Sequence, residues 1–204
     1  MNAPRHALVL LAAGGSRRLG QPKQLLRLDG ETLVHRAARL GLATAPAEAI
    51  VVCGANADAV WAGVADLPLR KIACSAWEAG LGESLAVGLG ALSPDIDGAL
   101  VLLCDQPALD ASHLLALRDA WRGDPTRAAA SEYAGVLGVP ALLPRRWFAP
   151  LAEGGHDHGA RDLLRANADQ VHAVPAPSLA DDVDTPEQAS GLTRPSLGAN
   201  PAQE

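Results

Sequence analysis

Residues 14–23 read GGSRRLGQPK, an order of residue types suited to holding an anion. Backbone amides at Gly14, Gly15 and Ser16 can approach a phosphate with no bulky side chain in the way. Arg17, Arg18 and Lys23 add three cations to the same short stretch. Asp105 follows the most hydrophobic run of the chain, in Cys104-Asp105-Gln106-Pro107. A carboxylate at such a strand end suits Mg2+, a hard ion that takes oxygen ligands and keeps several waters beside substrate phosphates. In Asp181-Asp182-Val183-Asp184, an extended chain points Asp182 and Asp184 to one side, so both can face a metal. Each feature also has a plainer reading. The Gly-Gly turn can be a tight loop with a solvated basic face, Asp105 a turn-forming residue before proline, and Asp184 a charge that steadies a helix start at Thr185. The Walker A order GxxxxGK[ST] and the dinucleotide pattern GxGxxG are both absent.

These groups need a frame. Residues 6–13, HALVLLAA, form a continuous apolar run that ends at Gly14-Gly15, the pattern of a strand buried on both faces of a parallel sheet. Further strands are expected at 49–53, 69–74, 98–104 and 170–175, with helices at about 31–44, 58–65, 83–92 and 111–122, the last capped by Asp110. Residues 127–143 suggest a strand pair around a turn at Gly135–Gly138, Pro144 precedes a short helix, and a further helix is expected over 157–166. This alternation predicts a single-domain α/β fold, a three-layer α/β/α sandwich with a Rossmann-like, mostly parallel sheet and an added antiparallel segment. Ligands of such sheets bind beyond the carboxyl ends of the strands, where the glycine loop and Asp105 both fall. The domain is expected to span residues 1–192, with 193–204 a flexible tail.

Of 204 residues, 49% are hydrophobic and 3% aromatic, so the core is aliphatic and a stacking groove for single-stranded nucleic acid is disfavoured. Seventeen Lys and Arg against 23 Asp and Glu leave a net charge of −6, which argues against a broad grip on nucleic acid or an anionic membrane. Any anion site must therefore be local. A nucleobase is expected to be read mainly by backbone and small polar groups, with no ring stacked on it. Cys53, Cys74 and Cys104 follow strands and read as buried, unreactive thiols in a reducing, cytoplasmic setting, with no signal peptide or membrane span.

The pattern L-A-A-G-x-S-x-R-x-G-x-x-K, met by Leu11, Ala12, Ala13, Gly14, Ser16, Arg18, Gly20 and Lys23, resembles the signature of the MobA-like nucleotidyltransferases. Gln21-Pro22-Lys23-Gln24-Leu25-Leu26 is most similar to the molybdenum cofactor cytidylyltransferases, which transfer CMP from CTP to molybdopterin. GLGESLAVGL at 80–89 resembles the family's GMSSSLRAGL-like segment, with Ser84 at a nucleotide-holding serine and Glu83 replacing a usual serine. Cys104–Pro107 is similar to the family's CDQP element, and residues 181–187 to its D-I-D-T-P-E-D segment. Residues 138–148 and 154–164 resemble elements that border the acceptor, implying acceptor-side roles for Arg145, Asp157, His158 and Arg161. His158 stands where lysine is usual, so its charge depends on pH near neutrality.

The resemblance implies a fold like that of the nucleotide-diphospho-sugar transferases. It implies nucleotide binding by Leu11, Ala12, Ala13, Gly14, Gly15, Ser16, Arg18, Lys23 and Ser84. Lys23 and Arg18 would neutralise phosphate oxygens, and Asp105 with Asp182 or Asp184 would hold Mg2+. The expected reaction is in-line attack by the molybdopterin phosphate on the α-phosphorus of CTP, releasing pyrophosphate. Three rivals remain: a transferase using GTP or another phosphorylated acceptor, a factor that delivers molybdenum cofactor to a molybdoenzyme or its chaperone, and a Rossmann-type oxidoreductase. The last is disfavoured because no acidic ribose-binding residue ends the second strand, AIVVCGAN.

Overall fold

The computed structural model describes residues 3–16, 19–153 and 159–180. Arg17, Arg18, Asp157, His158, Asp182, Asp184, the helix start expected at Thr185 and the tail at 193–204 lie outside the described residues. Strands are β1 (His6–Ala12), β2 (Arg27–Leu28), β3 (Glu31–Thr32), β4 (Glu48–Cys53), β5 (Arg70–Ala73), β6 (Gly98–Leu103), β7 (Ala128–Tyr133), β8 (Val136–Pro144) and β9 (Val171–Pro175). Helices are α1 (Leu33–Leu42), α2 (Ala57–Ala62), α3 (Leu81–Gly90), α4 (Ala111–Gly123), α5 (Phe148–Glu153) and α6 (Ala160–Ala166).

Seven strands form one sheet in the order β5-β4-β1-β6-β8-β7-β9, and β2 and β3 form a separate small ribbon. β1 pairs in parallel with β4 and β6, β4 with β5, and β7 with β9, while β8 runs antiparallel to β6 and β7. Side chains alternate across β1. Ala7, Val9 and Leu11 enter the core shared with Leu85 and Leu89 of α3, whereas Leu8, Leu10 and Ala12 enter the core under α1, α2 and α4. Burial on both faces explains the unbroken apolar runs of β1 and β6. The three-layer α/β/α sandwich and its mostly parallel sheet are as the sequence predicts.

Local chemistry sets several boundaries. Thr32 caps α1 by accepting from the His35 amide at 3.4 Å, and Asp110 caps α4 by accepting from the His113 amide at 2.9 Å. α3 begins at Leu81, earlier than the expected Glu83, because Gly80 (φ 126°) already turns the chain there. The β7–β8 turn is tighter than expected: Ala134 (φ 50°) and Gly135 (φ 72°) make it alone, as a two-residue hairpin of positive φ requires. Gly138, expected in that turn, lies within β8, where an added Cβ would collide with the Tyr133 hydroxyl.

Candidate active site

β1 has β4 on one side and β6 on the other, so connections diverge to opposite faces of the sheet at the β1/β6 boundary. Loops leaving two such strands in opposite directions open a crevice at their carboxyl ends. A cavity of about 320 Å³ lies there, walled by Leu11 and Ala13–Gly15 after β1, Lys23 and Gln24, the turn Trp77–Gly80, Leu81 and Ser84 of α3, and Leu103–Asp105 after β6. Its lining is apolar at Leu11, Trp77, Leu81 and Leu103, and polar at Lys23, Gln24, Glu78, Ser84 and Asp105.

Lys23 Nζ forms an ion pair with Asp105 Oδ2, joining the loop after β1 to the end of β6. Asp105 is 7% exposed, and its second oxygen, Oδ1, is buried without a hydrogen-bond partner. Buried carboxylate oxygens rarely remain unpaired in a protein without a role. Oδ1 is thus a buried acceptor with unused capacity on a residue that lines the cavity, an oxygen of the type that a hard cation or a ligand donor takes. Among the described residues no cluster of three or more His, Cys, Asp or Glu side chains could hold a metal, so within them Asp105 belongs to no three-ligand set.

The loop Gly14–Lys23 is fastened by side chains. Gln24 is 1% exposed and its Nε2 donates to the carbonyls of Ala12 at 3.1 Å and Gly14 at 2.7 Å. The Ser16 hydroxyl donates to Gln24 Oε1 at 3.4 Å and accepts from the Lys23 amide at 3.0 Å. Ser84 is buried in the first turn of α3, its hydroxyl 3.8 Å from the Cys74 sulfur. Burial, the neighbouring Asp105 carboxylate second, pushes the Cys104 thiol up to about 12, so it stays protonated near neutrality. Cys53, Cys74 and Cys104 are all free and buried, as expected.

The structure thus brings Leu11, Ala13, Gly14, Gly15, Lys23, Ser84 and Asp105 to one cavity. Ala12 turns its side chain into the opposite core, and Ser16 braces the loop from beside the cavity. Arg145 is not brought there. Pro144 pairs with Gly98, and β8 is antiparallel to β6, so Arg145 emerges at the amino-terminal end of β6, at the sheet edge away from Asp105. Six residues of strand separate the two edges, roughly 20 Å. The Arg145 guanidinium instead donates to the Ser93 carbonyl at 2.9 Å and lies 5.2 Å from the Phe148 ring centroid. Arg161 is exposed in the first turn of α6 and is not among the residues lining the cavity.

Several wall residues escaped the sequence reading, Gln24, Trp77 and Glu78 among them. Gln24 lies inside the Gln21–Leu26 segment, but nothing in a Lys-Gln pair reveals that the amide folds back under the loop. Trp77 packs against the glycines after β1 and β4: a Cβ at Gly15 or Gly54 would lie 2.9 or 2.6 Å from its side chain. An aromatic therefore forms part of the wall. Glu78, beside it, adds a carboxylate to the lining.

The chain is similar to several known proteins. Nicotine blue oxidoreductase of Paenarthrobacter nicotinovorans is 36% identical over 193 residues, covering 88% of this chain and 92% of that protein. Purine catabolism protein PucB of Bacillus subtilis is 33% identical, covering 95% and 98%. A probable molybdenum cofactor guanylyltransferase of Synechococcus elongatus is 33% identical over 57% of this chain and 56% of its own. Among solved structures, the homologue of Mycobacterium tuberculosis Rv0371c from Mycobacterium sp. strain JC1 superposes with a TM-score of 0.76 at 33% identity, covering 92% and 94%. Rv0371c itself, solved in complex with manganese, gives a TM-score of 0.73 at 25% identity, covering 92% and 97%. The description MobA-like NTP transferase domain matches residues 8–172, a span that includes every wall of the cavity, and the chain belongs to that family as a MobA-like nucleotidyltransferase.

Proposed function

We propose that the protein transfers CMP from CTP to the terminal phosphate of molybdopterin, releasing pyrophosphate. The observation that carries the reading is the meeting of Lys23 and Asp105 in the lining of a cavity that Gly14 and Gly15 also line. The triphosphate would lie along the glycine loop, its charge offset by Lys23 and, from outside the described residues, Arg18. Asp105 would hold Mg2+ through the unpaired Oδ1, with Asp182 or Asp184 as candidate partners. When bound, the ion would neutralise triphosphate charge and favour departure of pyrophosphate. Phosphoryl-group transfer asks little covalent chemistry of the protein, so the chain's own task is to position the α-phosphorus and exclude water. The buried, protonated Cys104 thiol is not needed as a nucleophile.

The apolar wall of Leu11, Trp77, Leu81 and Leu103 gives a planar base or pterin a surface to lie against. Asp157, His158 and Arg161 remain candidates for the acceptor side; Arg145, at the far edge, does not. The manganese complex of Rv0371c supports a divalent ion, and the guanylyltransferase relative supports a molybdopterin acceptor while raising GTP as the rival donor. The relative named nicotine blue oxidoreductase favours a redox reading, against which Gly54-Ala55-Asn56 after β4 offers no carboxylate to a dinucleotide ribose. Calorimetric titration with CTP, GTP, ATP, NADH and NADPH in the presence of Mg2+ separates these. Tightest binding of CTP supports the proposal; preference for GTP overturns the cytidylyl assignment, and binding of only a nicotinamide dinucleotide overturns nucleotidyl transfer.

A further inference from the structure

We propose that Gln24 is a positioning residue that sets the loop after β1 for a triphosphate. The inference rests on the nucleotidyl-transfer reading of the site. Gln24 is almost fully buried, yet it touches the cavity and makes three hydrogen bonds to one loop: to the Ala12 carbonyl at 3.1 Å, the Gly14 carbonyl at 2.7 Å and the Ser16 hydroxyl at 3.4 Å. Those partners stand two residues apart, and a trans peptide sets each carbonyl antiparallel to the following N–H. By drawing in the Ala12 and Gly14 oxygens, the amide turns the N–H groups of Ala13 and Gly15 to the opposite side.

The electrostatic consequence is specific to anions. An unheld Gly14 carbonyl would present partial negative charge where a phosphate must approach, whereas a carbonyl engaged by Nε2 is neutralised by a donor. The same residue also orients Lys23. Ser16, held by Gln24 Oε1, accepts from the Lys23 amide at 3.0 Å, so the start of the lysine side chain is fixed by the network that shapes the loop. Ser16 itself adopts φ 48°, a left-handed conformation uncommon outside glycine, and these bonds hold it there. Gln24 therefore acts through its neighbours: it aligns the backbone and the lysine rather than meeting the reacting atoms.

The test uses the full chain with Gln24→Leu, which removes both hydrogen-bonding functions, and Gln24→Glu, which keeps the acceptor and loses the donor. The probes are CTP, cytidine and inorganic tripolyphosphate, each titrated with Mg2+ present. The expected result is that both variants lose about tenfold or more in affinity for CTP and tripolyphosphate, Gln24→Glu most, while cytidine binding changes less than about twofold. A merely structural role would weaken all three alike, and that result overturns the proposal, as does unchanged tripolyphosphate affinity. Should Gln24→Leu fail to fold, Ser16→Ala provides the second arm, breaking the outer half of the network with a smaller loss in the same selective order; equal loss for cytidine again overturns it. Failure of the wild-type chain to bind CTP and tripolyphosphate defeats the nucleotidyl-transfer reading itself and is distinguished from failure of the Gln24 assignment by that control.

Discussion

The Lys23–Asp105 pair allows a quantitative test. Its side chains are 21% and 9% exposed, so the pair is shielded from water at the carboxylate and partly wet at the ammonium. Two unit charges about 4 Å apart attract by about 4 kcal/mol at an effective dielectric near 20. Dehydration of the carboxylate opposes this, and water reaching the ammonium screens it, leaving a net coupling of about 2 kcal/mol. The perturbation is the cycle Lys23→Met, Asp105→Asn and the double variant, read by urea unfolding. Lys23→Met is expected to be the costlier single change because it leaves a buried carboxylate without its cation, and the double variant should cost about 2 kcal/mol less than the sum. The second arm is metal. The Lys23 ammonium at Oδ2 repels a cation at Oδ1 of the same carboxylate, so Lys23→Met should bind Mn2+ more tightly than wild type in nucleotide-free protein, by about tenfold. Additivity within about 0.5 kcal/mol, together with unchanged Mn2+ affinity, would refute the reasoning.

Other expectations follow from single contacts. Gly54→Ala places a Cβ 2.6 Å from Trp77 and 2.7 Å from the Ala13 carbonyl, so it should cost about 1–3 kcal/mol in urea unfolding and weaken CTP binding by displacing the cavity wall. Unchanged stability and affinity would remove Trp77 from that role. Asp110→Ala removes the cap of α4 and should cost about 1 kcal/mol while leaving the Kd for CTP unchanged. The pKa of His35 is raised, first by its hydrogen bond to Glu31 at 2.6 Å and next by that to Asp66 at 3.2 Å, despite opposing burial. A raised value stabilises the fold fully below the unfolded pKa of about 6.5 and loses that contribution as pH rises through the folded value. The stability gap between wild type and His35→Gln should therefore be larger at pH 5.5 than at pH 9; the reverse order would refute the assignment.

The architecture was readable because burial on both faces leaves a direct mark: HALVLLA and GALVLL became the central pair β1 and β6, and Asp110 capped α4. The same logic located the site, since loops after those two strands must meet. What escaped notice depends on direction and distance rather than residue type. Arg145 follows a strand whose reversal is invisible in its own sequence, and that reversal sends it to the far edge. Gln24 is an ordinary polar residue until its amide is seen beneath Ala12 and Gly14. Trp77 stands far from the glycine loop in sequence, and only the close approach of Gly15 and Gly54 makes it part of the wall. A low aromatic content constrains how many rings exist, but not where one of them lies.

The proposed nucleotidyl transfer to molybdopterin at the Gly14–Lys23 loop and Asp105 is tested most directly by incubating the full chain with Mg2+, molybdopterin and CTP or GTP labelled at the α-phosphorus, and resolving the products. The account predicts label from CTP in a molybdopterin dinucleotide, with one pyrophosphate released per transfer, and loss of both products in Asp105→Asn. Label transferred from GTP in preference to CTP, or no transfer from either nucleotide, would contradict it.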